Sequence, residues 1–269
     1  MAAWFDLLRW NLHDARVFGS GFVLRHLSAA RGAKLHSWHL KDVGRVTVRL
    51  DTSDIDVVRQ IFQSREYDLS KYAQYRALRV RYDALLTIGK VPIIIDAGAN
   101  IGASALWFER EFPRAKVLSV EPDADNAEIC SANIANYDAI TLHRAAIGSV
   151  PGRIVIENPG SSAWGRRTVR SEDVNGIEVV TIPELVASVQ GGSLFVVKID
   201  IEGFEQDLFA RNLDWIDQAS VIIIEPHDWM RPGKGTSFAL QKAMGDRRFE
   251  LLVSGENLLY FNSANPAIA

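Results

Sequence analysis

From residue 91 onward, uninterrupted apolar runs alternate with segments of helical period. Strands without polar alternation are typical of a parallel sheet that helices cover on both faces. The alternation therefore predicts a doubly wound, mostly parallel α/β sheet with right-handed crossovers. The predicted strands are VPIIID (91–96), AKVLSVE (115–121), AITLHRAAI (139–147), SLFVVKID (193–200) and ASVIIIEP (219–226).

Four other segments have the patterns of antiparallel strands. GRIVIEN (152–158) and GIEVVTI (176–182) alternate apolar and polar residues, which predicts antiparallel additions to the fold. FELLVSG (249–255) and NLLYFNS (257–263) are separated by one short turn, and this spacing predicts a closing hairpin.

The same patterns predict the domain organisation. Residues 91–263 are expected to form one α/β domain, followed by a tail over 264–269. Residues 1–90 are expected to form an extension that covers the substrate or contacts a second copy of the chain. This extension is predicted to contain a strand at GRVTVRL (44–50) and a helix that Asp54 caps.

Composition and charge exclude several classes of function. The formal net charge of the 269 residues is −3, so no basic field predicts binding to nucleic acid. No apolar run reaches the length of a membrane span, and the first residues lack the pattern of a signal peptide. The single cysteine, Cys130, excludes an intrachain disulfide. These features favour a cytoplasmic protein.

Trp4, Leu7, Leu8 and Leu12 form an apolar stripe at helical spacing. We interpret this stripe as a helix that packs on the domain or on a second copy in a homodimer. The alternative is docking on a membrane surface, for which the anchors would be Trp4, Phe5, Arg9, Trp10 and Arg16.

The loop after the first strand of the domain, DAGANIGAS (96–104), is a candidate cofactor site. Gly98 and Gly102 flank a tight turn in which the backbone can approach a ligand, and a side chain at Gly98 is expected to collide with that ligand or to distort the turn. Asn100 stands where a dinucleotide-binding loop has its second glycine, which argues against NAD. Asp96 would repel a pyrophosphate and attract an ammonium group.

Glu121 ends the second strand, where a carboxylate can accept hydrogen bonds from a ribose diol. The alternative is that Glu121 is only an acid at a helix N-terminus. Together with the loop, this position indicates a nucleoside that carries a ribose and a cationic tail but no phosphate. S-adenosyl-L-methionine fits that description.

Five segments of the chain resemble the FkbM family of class I S-adenosylmethionine-dependent methyltransferases. They are IIIDAGANIGASAL, VLSVEPDADNAE, VVTIPEL, FVVKIDIEGFEQDLF and VIIIEPH, and the resemblance runs from about Val91 to Ser263. It implies a seven-stranded sheet whose last strand is antiparallel. It also implies methyl transfer to a hydroxyl oxygen of a sugar or a polyketide, with the cofactor on the first loop and Glu121 on its ribose.

Three carboxylates, those of Asp200, Glu202 and Glu205, follow one buried strand in KIDIEGFE (198–205). They could bind a metal, complement a helix N-terminus or act in catalysis. Because the motif itself offers no third ligand beside Asp200 and Glu202, we predict no metal.

We favour the catalytic interpretation of these acids. Asp200 is expected beside the methionine end of the cofactor, where its charge favours the sulfonium. Glu202 and His227 are the candidates for the base that removes the hydroxyl proton, and His227 has the better unperturbed pKa for that work. Glu225, in IIIEPH, is expected to orient His227 or the acceptor hydroxyl.

The candidate substrate residues are less specific. The resemblance places a serine-bearing loop at NPGSSAW (158–164), which makes Ser161 and Ser162 candidates. Tyr72, Trp164 and Trp229 could stack on a sugar ring, and core or rim positions are the alternative for each. Two other functions remain open for the whole chain: an NAD-dependent dehydrogenase or epimerase, and a non-catalytic domain that binds S-adenosylmethionine.

Overall fold

The computed structural model describes residues 14–157, 167–230 and 232–263. Its strands, in chain order, are β1 (Leu35–Leu40), β2 (Gly44–Arg49), β3 (Val91–Ala97), β4 (Lys116–Val120), β5 (Ile140–His143), β6 (Ala146–Ile147), β7 (Gly152–Glu157), β8 (Arg167–Ser171), β9 (Ile177–Val180), β10 (Gly192–Ile199), β11 (Val221–Ile224), β12 (Phe249–Ser254) and β13 (Asn257–Asn262). Its α-helices are α1 (Ser20–Val23), α2 (Arg25–Ala30), α3 (Asp54–Val58), α4 (Tyr75–Thr87), α5 (Ala103–Glu111), α6 (Ala124–Ile134), α7 (Ile182–Ala187), α8 (Glu205–Leu208), α9 (Asp214–Gln218) and α10 (Phe238–Gly245).

Seven strands form the main sheet, in the order β12–β13–β11–β10–β3–β4–β5. The neighbours from β11 to β5 are parallel, and β13 is antiparallel to both β11 and β12. The prediction of a seven-stranded, mostly parallel α/β sheet with an antiparallel last strand and a closing hairpin is confirmed. Chain order reverses between β3 and β10, and in such sheets ligands bind at the carboxyl ends of the strands beside that point.

Apolar side chains leave both faces of the central strands. On β3, Ile94 packs in one hydrophobic cluster, whereas Ile93 and Ile95 pack in another. The first cluster includes residues of α4, α5 and α6, and the second includes residues of α7, α9 and α10. The uninterrupted apolar runs in the sequence therefore exist because each central strand is covered by helices on both sides.

Four strands form a second sheet in the order β6–β9–β7–β8, and they fall between β5 and β10 in the sequence. The antiparallel pairing predicted for the segments around β7 and β9 is confirmed. The predicted strand 139–147 is in fact two strands: β5 belongs to the main sheet and β6 to the small one. Ile154 and Val179 pack with Ala146 and with Phe204, which follows β10, in a small cluster of their own.

The N-terminal part contains a hairpin in addition to helices. The strand predicted at 44–50 is present as β2, and it pairs with β1, which the sequence patterns did not predict. Trp38 and Val46 of this hairpin are buried in the same cluster as Ile94 of the main sheet. The division of the chain near residue 90 stays a prediction, but the two parts share one hydrophobic cluster.

One buried amide joins the hairpin to the loop after β3. The side-chain oxygen of Asn133, on α6, accepts a hydrogen bond from the Thr47 N–H at 2.7 Å. Its side-chain nitrogen donates to the Thr47 carbonyl at 3.0 Å and to the Ile101 carbonyl at 2.8 Å. Because Asn133 is only 2% exposed, these three bonds satisfy a polar group that would otherwise be costly to bury.

The predicted capping role of Asp54 is wrong. Ser53 is the N-cap residue of α3, and Asp54 is a buried residue inside the helix. Its carboxylate accepts hydrogen bonds from the Arg49 backbone N–H and from the Arg49 guanidinium at distances of 2.8 to 3.0 Å. The sequence signal was sound for a helix start, but the acid was needed to pair with an arginine at the end of β2.

No helix of the described residues is both long and apolar enough to cross a membrane. The predicted apolar stripe of Trp4, Leu7, Leu8 and Leu12 lies outside the described residues, as do the membrane anchors Phe5, Arg9 and Trp10.

Candidate active site

A cavity of about 860 Å³, measured to its open mouth, lies at the carboxyl ends of β3, β4 and β10. Its walls are the loop after β3, the segment from the end of β4 into α6, the segment after β10, and part of the small sheet. The lining residues are Gly98, Asn100, Val120, Glu121, Pro122, Asp123, Asn126, Ala146, Ile147, Ile154, Asp200, Ile201, Glu202 and Phe204.

The two loops that face each other across this cavity contain residues in the left-handed region. Gly98 and Asn100 have φ angles of 77° and 50°, and Glu202 and Gly203 have φ angles of 48° and 96°. Asparagine is among the residues that tolerate this region best, whereas a glutamate there is uncommon. Such strain is typical of functional sites, where the surrounding structure maintains it.

Gly98 lets the ends of β3 and β10 approach each other. A Cβ atom at this position would lie 1.8 Å from the Asp200 carbonyl oxygen. The predicted collision of a side chain with a ligand is therefore preceded by a collision with the protein's own backbone. Gly98 lines the cavity as predicted, but the packing of β3 against β10 is enough to require glycine there.

Glu121 lies in the cavity wall and organises the loop after β3. Its Oε2 accepts a hydrogen bond from the Asn100 N–H at 2.7 Å, and its Oε1 accepts one from the Asp123 N–H at 2.9 Å. Burial raises the pKa of Glu121 to about 7, although these two backbone bonds act to lower it. Asp123 caps α6, because its side chain accepts from two backbone N–H groups. Glu121 lies two residues before this cap, so the ribose role and the role of an acid near a helix N-terminus both stay predictions.

Asp96 does not line the cavity. It is fully buried beneath the loop, where its carboxylate accepts hydrogen bonds from the Ser104 hydroxyl at 2.8 and 2.9 Å. Lys198 Nζ lies 3.4 Å from Asp96, because β10 and β3 pair with Lys198 opposite Asp96. The expected interaction of Asp96 with a ligand ammonium is replaced by this internal ion pair.

Lys198 begins the KIDIEGFE motif, and the sequence pattern did not indicate a role for it. Its ammonium donates to the Gly98 carbonyl at 2.7 Å and lies 3.7 Å from the Asp200 carboxylate. Burial alone would lower the pKa of Lys198, but the charges of Asp96 and Asp200 raise it above its ordinary value. Lys198 therefore stays charged and anchors the loop after β3 to the end of β10.

Gly102 also does not line the cavity. It has a φ angle of 83° at the start of α5, and a Cβ atom there would lie 2.9 Å from Cys130 Sγ. Its glycine character serves the packing of α5 against α6. A glycine at this place in the sequence could serve either close approach to a ligand or close packing of helices, and only the position of α6 distinguishes these two roles.

A cluster of three side chains lies at the end of β10 and β11. His227 Nε2 is 3.5 Å from Asp200 Oδ1 and 3.6 Å from Glu225 Oε1. One potential ligand atom from each of these residues lies within 4.8 Å of the other two. The motif KIDIEGFE offered no third ligand because the others come from the neighbouring strand β11.

Glu205 positions the imidazole of this cluster. It is 2% exposed, and its Oε1 lies 2.8 Å from His227 Nδ1, which is the donor to the carboxylate. Burial alone would lower the pKa of His227, but the hydrogen bond to Glu205 and the charges of Glu205, Asp200 and Glu225 raise it to about 9. Burial and the charge of Asp200 raise the pKa of Glu225 to about 7. The unperturbed pKa that favoured His227 as a base thus does not hold in this environment.

The other predicted site residues are dispersed. Glu202 is exposed and lines the cavity. Trp229 is half-exposed, and its ring lies 6.4 Å from that of His227. The ring of Tyr72 lies 6.5 Å from that of Phe261. Phe261 pairs with the first residue of β11, so Tyr72 lies toward the amino ends of the parallel strands, away from the cavity. Ser161, Ser162 and Trp164 lie outside the described residues.

A model of the methyltransferase FkbM domain matches residues 96–251, which is more than half of the chain. The chain belongs to the FkbM methyltransferase family. The matched range begins at Asp96 and includes the loop after β3, Glu121 and the cluster at the ends of β10 and β11. The resemblance in the sequence motifs is thereby confirmed.

Two curated relatives of this FkbM-family chain are methyltransferases, and the name of one of them states a hexuronic acid as its substrate. The 2-O-methyltransferase NoeI of Sinorhizobium fredii is 24% identical over 155 residues, which are 51% of this chain and 64% of NoeI. The hexuronic acid methyltransferase AglP of Haloferax volcanii is 26% identical over 141 residues, which are 52% of this chain and 58% of AglP. The matches thus span less than two thirds of either relative.

Among solved structures, the chain is similar to methyltransferase FkbM from Methylobacillus flagellatus. The identity is 18% and the TM-score is 0.42, and the similarity covers 64% of this chain and 43% of that one.

We predict that the buried pair of Asp96 and Lys198 stabilises this FkbM-family fold. Asp96→Ala leaves the Lys198 ammonium buried without its in-register partner, and such a change typically costs about 3–5 kcal/mol. Urea unfolding measures the loss. The double variant Asp96→Asn/Lys198→Met removes both charges and is expected to recover a large part of it. Wild-type stability of Asp96→Ala would contradict this account.

We predict that Gly98→Ala is more destabilising than Gly89→Ala. Both glycines have positive φ angles, 77° and 73°, so both variants share the strain of a left-handed alanine. A Cβ atom at Gly89 meets nothing within 4 Å, whereas one at Gly98 meets the Asp200 carbonyl. The extra loss in Gly98→Ala is expected to be about 1–3 kcal/mol by urea unfolding. Equal losses would mean that the strand ends separate freely.

Proposed function

We propose that this chain is an S-adenosylmethionine-dependent O-methyltransferase that methylates a hydroxyl of a sugar or glycan. The proposal rests on the cavity at the switch point of an FkbM-family sheet, which is lined by the Glu121 carboxylate and by Asp200, a member of the cluster with Glu225 and His227. Such a constellation fits a nucleoside cofactor with a cationic tail.

The residues present fit S-adenosyl-L-methionine. Glu121 offers a carboxylate in the cavity wall, and each of its oxygens keeps a lone pair beyond the one backbone bond that it accepts. Gly98 and Asn100 supply the close backbone approach on the same wall. Asp200 lines the cavity and is one-third exposed, so its negative charge is available to a sulfonium at that end. When bound, the cofactor supplies an electrophilic methyl group.

The acidic cluster is where we put the acceptor hydroxyl. Methyl transfer requires the acceptor oxygen in line with the methyl carbon, at roughly 3 Å, and a route for the hydroxyl proton. Asp200 lines the cavity and also belongs to the cluster with Glu225 and His227. A hydroxyl bound beside Asp200 would therefore lie close both to the methyl group and to groups that can accept its proton. Glu202, on the cavity wall, remains the alternative proton acceptor from the sequence motif.

The sugar acceptor is inferred from the relatives and from one side chain. NoeI and AglP carry the names of a 2-O-methyltransferase and a hexuronic acid methyltransferase. Trp229 is 51% exposed beside His227, and an exposed indole can stack on the apolar face of a sugar ring. A polyketide hydroxyl would meet the same cluster without needing the indole.

We predict that the affinity for S-adenosylhomocysteine depends on Glu121 and falls as the pH is lowered through 7. A ribose diol donates to the ionised carboxylate, and the pKa of Glu121 is about 7 in the free protein. Protonation therefore competes with binding, and affinity is expected to be roughly tenfold weaker at pH 6 than at pH 8. Glu121→Gln should bind more weakly and lose this part of the pH dependence. Isothermal titration calorimetry measures both effects.

The matched control is Glu128→Gln, which changes an exposed acid on α6 and should leave affinity and pH dependence as in the wild type. NAD is titrated in parallel because it is the cofactor of the competing dehydrogenase function. Binding of NAD instead of S-adenosylhomocysteine would overturn the proposal. Equal affinity of Glu121→Gln and the wild type for S-adenosylhomocysteine would also overturn it. Transfer of labelled methyl groups to sugar acceptors, compared between the wild type and Trp229→Ala, tests the acceptor class.

A further inference from the structure

We propose that Asp200, Glu225 and His227 bind one divalent cation, with open coordination positions toward the acceptor. The catalytic meaning of this site rests on the proposed function, whereas its position follows from the distances, burial and charges of the side chains.

The spacing of the three donors fits a shared metal ion. His227 Nε2 lies 3.5 Å from Asp200 Oδ1 and 3.6 Å from Glu225 Oε1. These separations exceed the usual hydrogen-bond range of about 2.7–3.2 Å. An ion at about 2.0–2.2 Å from an imidazole nitrogen and a carboxylate oxygen holds those donors roughly 3.0–3.6 Å apart at angles near 90–110°. The two separations that involve His227 therefore fit a shared ion, and all three donor atoms lie within 4.8 Å of one another.

The buried acid behind His227 is an independent observation in favour of a cation. Glu205 Oε1 accepts from His227 Nδ1 at 2.8 Å and from the Gly203 N–H at 3.2 Å. This bond leaves Nε2 as the atom that faces Asp200 and Glu225. A carboxylate on the far nitrogen of a ligating histidine is the usual way in which proteins fix the ring and raise its basicity toward a metal.

Glu205 also leaves an uncompensated polar atom in the interior. Its Oε2 is buried and has no hydrogen-bond partner within the described part of the chain, and the residue as a whole is only 2% exposed. A buried carboxylate with one unbonded oxygen is costly unless positive charge lies nearby. A cation bound to His227 Nε2 would maintain positive charge beside Glu205 in place of a proton on that nitrogen.

The charges around the cluster are also unbalanced toward the acids. Asp200, Glu205 and Glu225 surround a single imidazole. Lys198 lies 3.7 Å from Asp200, but it also lies 3.4 Å from Asp96 and is therefore shared. Buried or half-buried charges of one sign require paired cations, and a divalent ion supplies two charges at the point where the acids converge.

The site is open on the side where the acceptor is expected. Asp200 is 33% exposed and lines the cavity, and Glu225 is 12% exposed, whereas His227 is 4% exposed. Three protein ligands on one side leave positions for water or for sugar hydroxyls. A cation there would make the acceptor hydroxyl more acidic. Its O–H bond then breaks with the proton going to water, the oxygen lone pair forms the new bond to the methyl carbon, and the electrons of the carbon–sulfur bond remain on sulfur.

Metal binding to the full chain tests the proposal directly. After EDTA treatment and its removal, Mn²⁺, Zn²⁺ and Mg²⁺ are titrated separately by calorimetry, and bound Mn²⁺ is counted by electron paramagnetic resonance. We expect one Mn²⁺ or Zn²⁺ per chain. We expect weaker binding of Mg²⁺, because an imidazole ligand suits first-row transition ions better.

Two variants and one control locate the ion. Glu225→Gln removes a ligand charge, and Glu205→Gln weakens the support of His227; each should lower Mn²⁺ affinity by about 10- to 100-fold. Glu128→Gln changes an exposed acid on α6 and should leave Mn²⁺ affinity unchanged. Mn²⁺ binding that is equal in the wild type and both site variants would put the ion elsewhere and overturn the proposal.

S-adenosylhomocysteine binding in the same proteins separates this proposal from the proposed function. If the wild type binds S-adenosylhomocysteine but no divalent cation, the metal site is wrong and the methyltransferase function stands. If the wild type binds Mn²⁺ at this site but not S-adenosylhomocysteine, the proposed function is wrong instead. Once an acceptor that the enzyme methylates has been identified, methyl transfer at an unchanged rate in EDTA would also contradict the metal site.

Discussion

The end of β3 is held against the end of β10 by one buried lysine, and the candidate site depends on this contact. Lys198 pairs with Asp96 below the loop and donates to the Gly98 carbonyl within it. The same ammonium lies near Asp200, which opens onto the cavity. Because Gly98 has no side chain, the Asp200 carbonyl can occupy the space beside it. The charged lysine and the bare glycine together bring the loop after β3 close to the cluster of Asp200, Glu225 and His227, at the carboxyl ends of the strands.

The same contact separates acids that are paired inside the protein from an acid that is partly exposed at the cavity. Asp96, which is fully buried, is satisfied within the protein by Lys198 and Ser104. Asp200, one residue beyond β10, is only partly satisfied and is one-third exposed. Glu205 repeats the internal pattern on the other side, since it is buried and bonded to His227. The internal acids hold the cationic groups in place, and the exposed acids are left to act on ligands.

The sheet was predictable from the sequence because each central strand is apolar on both faces, so that its consecutive residues are apolar. The closing hairpin and the antiparallel strands β7 and β9 were predictable from other local signals, namely a short turn and the alternation of apolar and polar residues. β1 was not predicted, because LHSWHL mixes polar and apolar residues and becomes a strand by pairing with β2. The break between β5 and β6 was also missed, because a change of sheet within AITLHRAAI leaves the apolar pattern almost unbroken.

The sequence by itself determined which residue types stand at the strand ends: glycines in a tight turn after β3, and acids after β4, β10 and β11. It did not determine their partners. A one-residue irregularity in β10, between Leu194 and Val196, shifts the register so that Lys198 lies opposite Asp96. The strand order then places Glu225 and His227 beside Asp200, although the chain separates them by more than twenty residues. Local sequence sets backbone preference and chemical type, but the contacts of a buried charge follow from register and strand order, which only the assembled sheet decides.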